Sequence, residues 1–241
     1  MVARQAARVP DHASRGEGYQ PRTPPSGASK RGLRLRRVER KLVSHDPRRY
    51  AILARIRWVW RHLPRRGVLL FFDVQPIPVK AYGGRRFTAA KRLVLEKAQK
   101  TRGFFSLFAA YEVNTGRRRW AFYDGKSSQH VCRFMKQLHR WYPEQQVWVV
   151  LDRDSPHPCK SVRTRREMRR LKRHWVTLPT GSPDDNPVET IFSDIQLMVL
   201  DTSNDPDVKT TQRRISWHLR RCNRRKNRRI HIPYLPGFHK D

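Results

Sequence analysis

A chain of 241 residues with 37% apolar side chains can build one core, but it is lean in apolar residues for a chain ordered throughout. Its 53 Lys and Arg stand against 20 Asp and Glu, a net charge of +33, and such a surface repels itself unless an anionic partner screens it. Arg outnumbers Lys and grips phosphate bidentately, so nucleic acid is the expected partner, with anionic lipid as the rival. No apolar run approaches the roughly twenty residues of a membrane span. No signal peptide with a clear apolar core is present, so a soluble, cytoplasmic protein is expected. Cys132, Cys159 and Cys222 are odd in number and widely spaced, with no CxxC pair. A disulfide framework or zinc site is therefore not expected, and all three are read as reduced.

Residues 1–38 are rich in Arg, Pro, Ser and Gly, and Pro24-Pro25-Ser26-Gly27 is a breaker cluster. The segment cannot bury enough apolar surface to offset its ordering entropy, so a disordered basic arm is expected, either a plain tail or a DNA-contacting one. Pro47 to Leu63 carries Ile52, Ile56, Val59 and Trp60 at helical spacing, and Pro64 ends that helix. Val68 to Phe72 is a continuous apolar run suited to a strand buried on both faces, ending at Asp73. After Gly83-Gly84, Phe104–Val113 and Arg119–Tyr123 flank the turn signal Asn114-Thr115-Gly116, which predicts an antiparallel hairpin.

Ser127 to Trp141 has helical spacing, and Val147 to Leu151 is another solid apolar strand, ending in Asp152. A charged helix over Thr164–Arg173 and a short strand over Trp175–Leu178 follow. Asn186 and Pro187 then predict a helix start, with Asn as N-cap, Pro at the first position and Glu189 at the third. Val188, Ile191, Phe192, Ile195 and Val199 give that helix an apolar face. A last basic helix spans Thr211–Arg225, before an extended tail. The order predicts one α/β domain over residues 39–235, a mixed sheet flanked by helices, with 236–241 as tail.

Two aspartates thus end two apolar strands, and strand carboxyl ends border the functional crevice of open α/β sheets. If those strands are parallel neighbours, Asp73 and Asp152 lie side by side, and their repulsion calls for a cation. Hard oxygen ligands suit Mg²⁺ or Mn²⁺. On pattern alone, Glu189 reads equally as a capping-box residue facing its own N-cap.

Three segments resemble the signature blocks of the mariner superfamily of DDE transposases, and more closely its bacterial IS-six-thirty insertion-sequence branch. They are Leu69–Asp73, Val149–His157, and Leu178-Pro179 through Ser182-Pro183 to Asn186-Pro187-Val188-Glu189. The third is the most specific, and 36 residues separate Asp152 from Glu189, within the family's interval. The resemblance covers roughly residues 40–235. It implies an RNase H-like five-stranded mixed sheet, with three antiparallel strands followed by two parallel to the first. It implies Asp73, Asp152 and Glu189 as catalytic metal ligands for two Mg²⁺ or Mn²⁺ ions. It implies DNA cleavage and strand transfer of an insertion sequence, at a TA target, by a homodimer on DNA. The partner would be duplex DNA at transposon ends rather than a small-molecule substrate, in the cytoplasm of a bacterium, near its nucleoid.

His157 matches the family's downstream histidine and could contact a scissile phosphate; a solvated loop residue is the equal alternative. Asn186 is a second possible substrate contact. Asp184 and Asp185 are expected in the turn rather than on a metal. Val74 departs from the acidic residue usual after the first aspartate. The helix-turn-helix modules that usually precede the catalytic domain do not fit in residues 1–38, so the chain resembles a catalytic half. Arg213, Arg214, Arg220, Arg221, Arg224 and Arg225 surround a stripe of Ile215, Leu219 and Cys222, and are expected to face DNA. The seven tryptophans are expected mostly in the core. Rival readings are a catalytically silent DNA-binding remnant and a general RNase H-like nuclease.

Overall fold

The computed structural model describes residues 44–83, 101–152, 162, 166, 174–201, 203–225 and 229–236. The basic arm, the 153–161 stretch with Asp154 and His157, all but Arg166 of the expected Thr164–Arg173 helix, and the 237–241 tail lie outside them.

The chain enters through α1 (Arg49–Arg61), whose Leu53, Ile56 and Val59 are buried. A tight turn follows, in which the Gly67 N–H donates to the Pro64 carbonyl at 2.6 Å. A Cβ on Gly67 would lie 2.8 Å from the Pro64 ring, so the close approach requires glycine. The strands are β1 (Gly67–Pro78), β2 (Phe104–Glu112), β3 (Arg118–Tyr123), β4 (Gln146–Leu151) and β5 (His174–Thr177). Helix α2 (Ser128–Trp141) joins β3 to β4, and α3 (Pro187–Ile195) and α4 (Val208–Arg224) follow the sheet. The strand order is β3-β2-β1-β4-β5. β1, β2 and β3 pair antiparallel, while β4 and β5 run parallel to β1. That is the RNase H-like order.

Side chains of a strand alternate between faces, and β1 uses both. Val68, Leu70, Phe72 and Val74 pack against Val131, Phe134, Met135 and Leu138 of α2. Leu69 and Phe71 point the other way, into the core shared with α1, α3 and α4. Burial on both faces is why these residues read as an unbroken apolar run rather than as alternation.

Three differences from expectation have physical causes. β1 does not stop at Asp73; it continues to Pro78, because Val74 and Ile77 remain buried and β2 is long enough to pair with it. Pro76 and Pro78 fit there because β4 pairs no further than Phe72, which leaves one edge of β1 without a strand partner among the described residues. Next, α3 ends at Ile195 and the chain winds on as one π-helical stretch, Gln196–Leu200. This keeps Val199 buried but leaves Leu197 and Met198 exposed. Finally, Trp58 and Trp217 are 60% and 58% exposed, not core residues. Among the described residues no helix is long and apolar enough to cross a membrane.

Candidate active site

β1 and β4 pair in parallel with Phe72 opposite Leu151, so the next residue on each chain, Asp73 and Asp152, stand side by side. Asp73 shares the parity of Leu69 and Phe71, and Asp152 that of Val150, so both carboxylates belong to the face covered by α3. The crevice opens where β4 ends, not where β1 ends.

The third carboxylate arrives on the first turn of α3. Asn186 has extended backbone and its Oδ1 accepts the Val188 N–H at 3.2 Å, while Pro187 occupies the first helical position. This cap fixes where the helix starts, and hence that Glu189 lies on the turn nearest the strands. Val188, Ile191, Phe192 and Ile195 bury the opposite stripe of α3 in the core. The capping-box alternative for Glu189 is not what forms: the Asn186 backbone N–H is donated to the Pro183 carbonyl at 2.9 Å. Glu189 instead shares a hydrogen bond with Asp73.

Asp73, Asp152, Asn186 and Glu189 line one small cavity, with Leu178, Pro179 and Gly181 to Pro183 as its wall. All three carboxylates are half-buried. Partial burial, then the neighbouring Asp73 and Asp152, pushes the Glu189 carboxyl up to about 7. Asp73 is fixed at both oxygens: Oδ1 accepts the Val74 N–H at 2.7 Å and Oδ2 accepts the Asn186 side-chain amide at 3.0 Å. Asn186 therefore caps the helix with its oxygen and orients Asp73 with its nitrogen.

The wall is held from outside. Gly181 adopts φ +63°, a left-handed turn that suits glycine, and the Ser182 hydroxyl donates to the Pro179 carbonyl at 2.7 Å. The Ser44 hydroxyl donates to the Thr180 carbonyl at 2.6 Å and Asp46 accepts the Thr180 N–H at 3.1 Å. Arg49 forks onto the buried Asp185 at 2.9 and 2.7 Å. The Tyr234 hydroxyl donates to the Asp185 carbonyl at 2.6 Å. Asp184 and Asp185 thus belong to the 3₁₀ turn Pro183–Asp185, as expected, and Asp185 is its anchor.

The arginines of α4 divide. Arg213, Arg220, Arg221, Arg224 and Arg225 are exposed. Arg214 is not part of that surface: it pairs with Asp205 at 2.6 Å and donates to the Val199 carbonyl at 2.9 Å. A helix turns about 100° per residue, which swings Arg214 toward the core side that Arg213 avoids. Ile215, Leu219 and Cys222 form the buried stripe, joined by Thr211 and His218. α4 lies along β3, where the Asn223 amide accepts the Arg118 N–H at 2.8 Å and donates to its carbonyl at 2.9 Å. β3 is two strands from β1, so the arginine surface sits to one side of the crevice. Sequence reading missed that His218 and Cys222 meet Asp194 of α3.

Comparison with curated protein sequences returned no significant match. Among solved structures, the chain is similar to the Mos1 transposase paired-end complex with left transposon end (TM-score 0.60, 13% identity, 88% of this chain and 65% of that one). It is also similar to the Mos1 mariner paired-end complex with Mn (TM-score 0.58, 11% identity, 83% and 62%). A third is the catalytic domain of Mos1 mariner transposase (TM-score 0.52, 10% identity, 76% and 85%). At these identities the likeness is one of fold, and this chain spans less than two thirds of the Mos1 chain in either paired-end complex. The sequence model of the DDE superfamily endonuclease domain matches residues 68–212, more than half of the chain and the whole stretch that carries the three carboxylates. The chain belongs to the DDE superfamily of endonucleases.

Proposed function

We propose that this protein is the catalytic domain of a DNA transposase in which Asp73, Asp152 and Glu189 carry the phosphoryl chemistry. The observation behind this reading is the convergence of three carboxylates from β1, β4 and α3 on one cavity. The donor set suits divalent metal: three hard oxygen ligands meet in one half-buried cavity, where burial first and the neighbouring Asp73 and Asp152 second hold a proton on Glu189 up to about pH 7. A cation there would replace that proton. Such ions, two in our reading and Mg²⁺ or Mn²⁺ in kind, would lower the pKa of an attacking water or hydroxyl and neutralise charge on the phosphate. The Mn in the Mos1 complex points the same way.

The side chains have separable tasks. Asn186 keeps Asp73 Oδ2 aimed into the cavity, and the Val74 N–H holds the other oxygen. Glu189 is a ligand when deprotonated, so proton and metal compete for it and metal binding weakens as pH falls below about 7. Asn186 sits on the cavity wall, within reach of a bound phosphodiester, as a positioning residue. His157 is proposed as a phosphate contact beyond Asp152. The substrate is duplex DNA, guided by the exposed Arg213, Arg220, Arg221, Arg224 and Arg225, with Arg214 withdrawn to a structural role. Water would hydrolyse the phosphodiester at a transposon end, and the freed 3′-hydroxyl would attack a target strand, with no covalent protein–DNA intermediate. A TA target, a homodimer on DNA and an insertion-sequence origin in the IS-six-thirty branch complete the reading. The domain would occupy residues 39–235 behind a basic arm and act in a bacterial cytoplasm.

The test is nicking and strand transfer on a labelled duplex with Mg²⁺ or Mn²⁺, comparing wild type with Glu189→Ala and Asp152→Asn. Folding is checked by circular dichroism. Metal-dependent cutting in the wild type and none in the folded variants is the expected result. Cutting that persists in either folded variant sinks the triad. Stronger cleavage of an RNA–DNA hybrid than of DNA duplex would instead favour a general RNase H-like nuclease.

A further inference from the structure

A second cluster of metal-ligating side chains lies away from the carboxylate cavity, between α3 and α4. His218 and Cys222 are four residues apart on α4, so they share a face one turn apart. Both are buried, at 6% and 1% exposure. Asp194 reaches them from the last turn of α3. His218 Nε2 lies 2.7 Å from Asp194 Oδ2 and 3.5 Å from Cys222 Sγ. Cys222 Sγ lies 3.7 Å from the same Asp194 oxygen.

The geometry is not that of a nucleophilic relay. A Cys–His–acid relay spends the two ring nitrogens on opposite partners, one on sulfur and one on carboxylate. Here a single nitrogen, Nε2, faces both. Three donor atoms that each neighbour the other two instead enclose one shared point. A tetrahedral ion with bonds of about 2.0–2.3 Å sets its ligand atoms roughly 3.3–3.8 Å apart. Two of the three separations already match. The third is a hydrogen bond, which lengthens once its proton is replaced by an ion.

We propose that Asp194, His218 and Cys222 form a zinc-class metal site, separate from the carboxylate cavity, that pins α4 onto α3. Thiolate, imidazole and one carboxylate suit a borderline-soft ion such as Zn²⁺, whereas the all-oxygen cavity suits Mg²⁺ or Mn²⁺. Asp194 is the solvent-facing member, its side chain 36% exposed, which gives the ion an entry path and leaves a fourth position for water. On binding, the Cys222 thiol proton leaves to solvent and the His218 ring proton shifts to Nδ1. Burial raises the Cys222 thiol above its ordinary value, with Arg118 offsetting part of that, so an ion binding there has to displace a firmly held proton. Asp194 follows Glu189 on the same helix, so the pin would steady the helix that carries the third carboxylate.

The test is a Co²⁺ titration of the full chain, reduced and metal-free, with excess Mg²⁺ to occupy the carboxylate cavity. The expected result is one equivalent of Co²⁺ giving tetrahedral visible bands and a thiolate-to-cobalt charge-transfer band, both displaced by Zn²⁺. Carboxylates alone cannot produce the thiolate band. Cys222→Ser should abolish it, while Cys132→Ser and Cys159→Ser should retain it. Asp194→Asn, at a part-exposed position, should weaken Co²⁺ at least tenfold. Absence of a thiolate band, its survival in Cys222→Ser, or an unchanged affinity in Asp194→Asn would each overturn the proposal and leave a hydrogen-bonded trio.

Discussion

On the face that carries α2, the inward side chains of β1 are apolar for as far as the helix covers them: Val68, Leu70, Phe72 and Val74. On the opposite face the same strand runs Leu69, Phe71 and then Asp73. Both faces are built by one alternating segment, yet one only packs and the other breaks its packing at Asp73 and Gln75, where β4 ends and α3 begins, before resuming at Ile77. There a carboxylate can stay half-buried, because the cavity under the α3 N-terminus admits solvent and Asn186 satisfies one of its oxygens. The difference shows how a two-residue period separates stability from chemistry within a single strand.

The largest expected effect tests that separation directly. Phe72 is fully buried and stacks on Phe134 with centroids 5.2 Å apart. Phe72→Ala should cost about 3–5 kcal/mol in urea denaturation. Asp73→Ala, one residue on, should cost less without divalent cation, since it relieves the crowding with Glu189 as well as removing the bonds from the Val74 N–H and the Asn186 amide. Equal losses at the two positions would break the comparison. Next in size is the clamp on the loop that walls the cavity. Arg49→Ala leaves Asp185 buried without its fork and should cost about 1.5–3 kcal/mol, measured the same way.

The two faces were not equally readable in the sequence. The apolar runs at Val68–Phe72 and Val147–Leu151 exposed the central strands, because burial on both sides leaves an unbroken signal. The extension of β1 was hidden, since Pro76 and Pro78 look like strand breakers until the unpartnered edge is known. Asp73, Asp152 and Glu189 stood out through the strand ends, the helix cap and the family blocks, and the register between β1 and β4 brings the first two together. What sequence could not show were side-chain partners contributed by other elements or loops. Arg49 and Asp185 form a clamp across most of the chain's length, and Arg214 is drawn off the basic surface by Asp205. Asp194, His218 and Cys222 left only an i, i+4 pair as local trace, and counting cysteines alone pointed away from a metal.

A pH series sharpens the contrast further. Glu189 holds its proton up to about pH 7 in the fold, above the ordinary carboxylate value. Between those values the unfolded chain has lost the proton and the folded chain has kept it, so metal-free stability falls as pH rises through that window and stays lower above it. Glu189→Gln should flatten this slope and melt above the wild type at about pH 8 without divalent cation. Adding Mg²⁺ should reverse the order at that pH, because only the carboxylate gains a ligand role. A wild-type melting temperature indifferent to pH across the window would remove the crowded-carboxylate account.

The smallest effect separates two arginines that the sequence placed together. Arg220 is exposed on α4, while Arg214 is tied to Asp205 and to the Val199 carbonyl. If the exposed arginines meet phosphate, Arg220→Ala should leave the melting temperature alone and lower the slope of log affinity against log salt by about 1. Arg214→Ala should do the opposite, lowering stability by roughly 1 kcal/mol and leaving the salt slope unchanged. DNA-binding titrations at several salt concentrations, beside thermal melts, read both quantities on the same samples. Should Arg214→Ala change the slope as much as Arg220→Ala, the ion pair with Asp205 must open on DNA, and the division of α4 into a packing side and a phosphate side would fail at that residue.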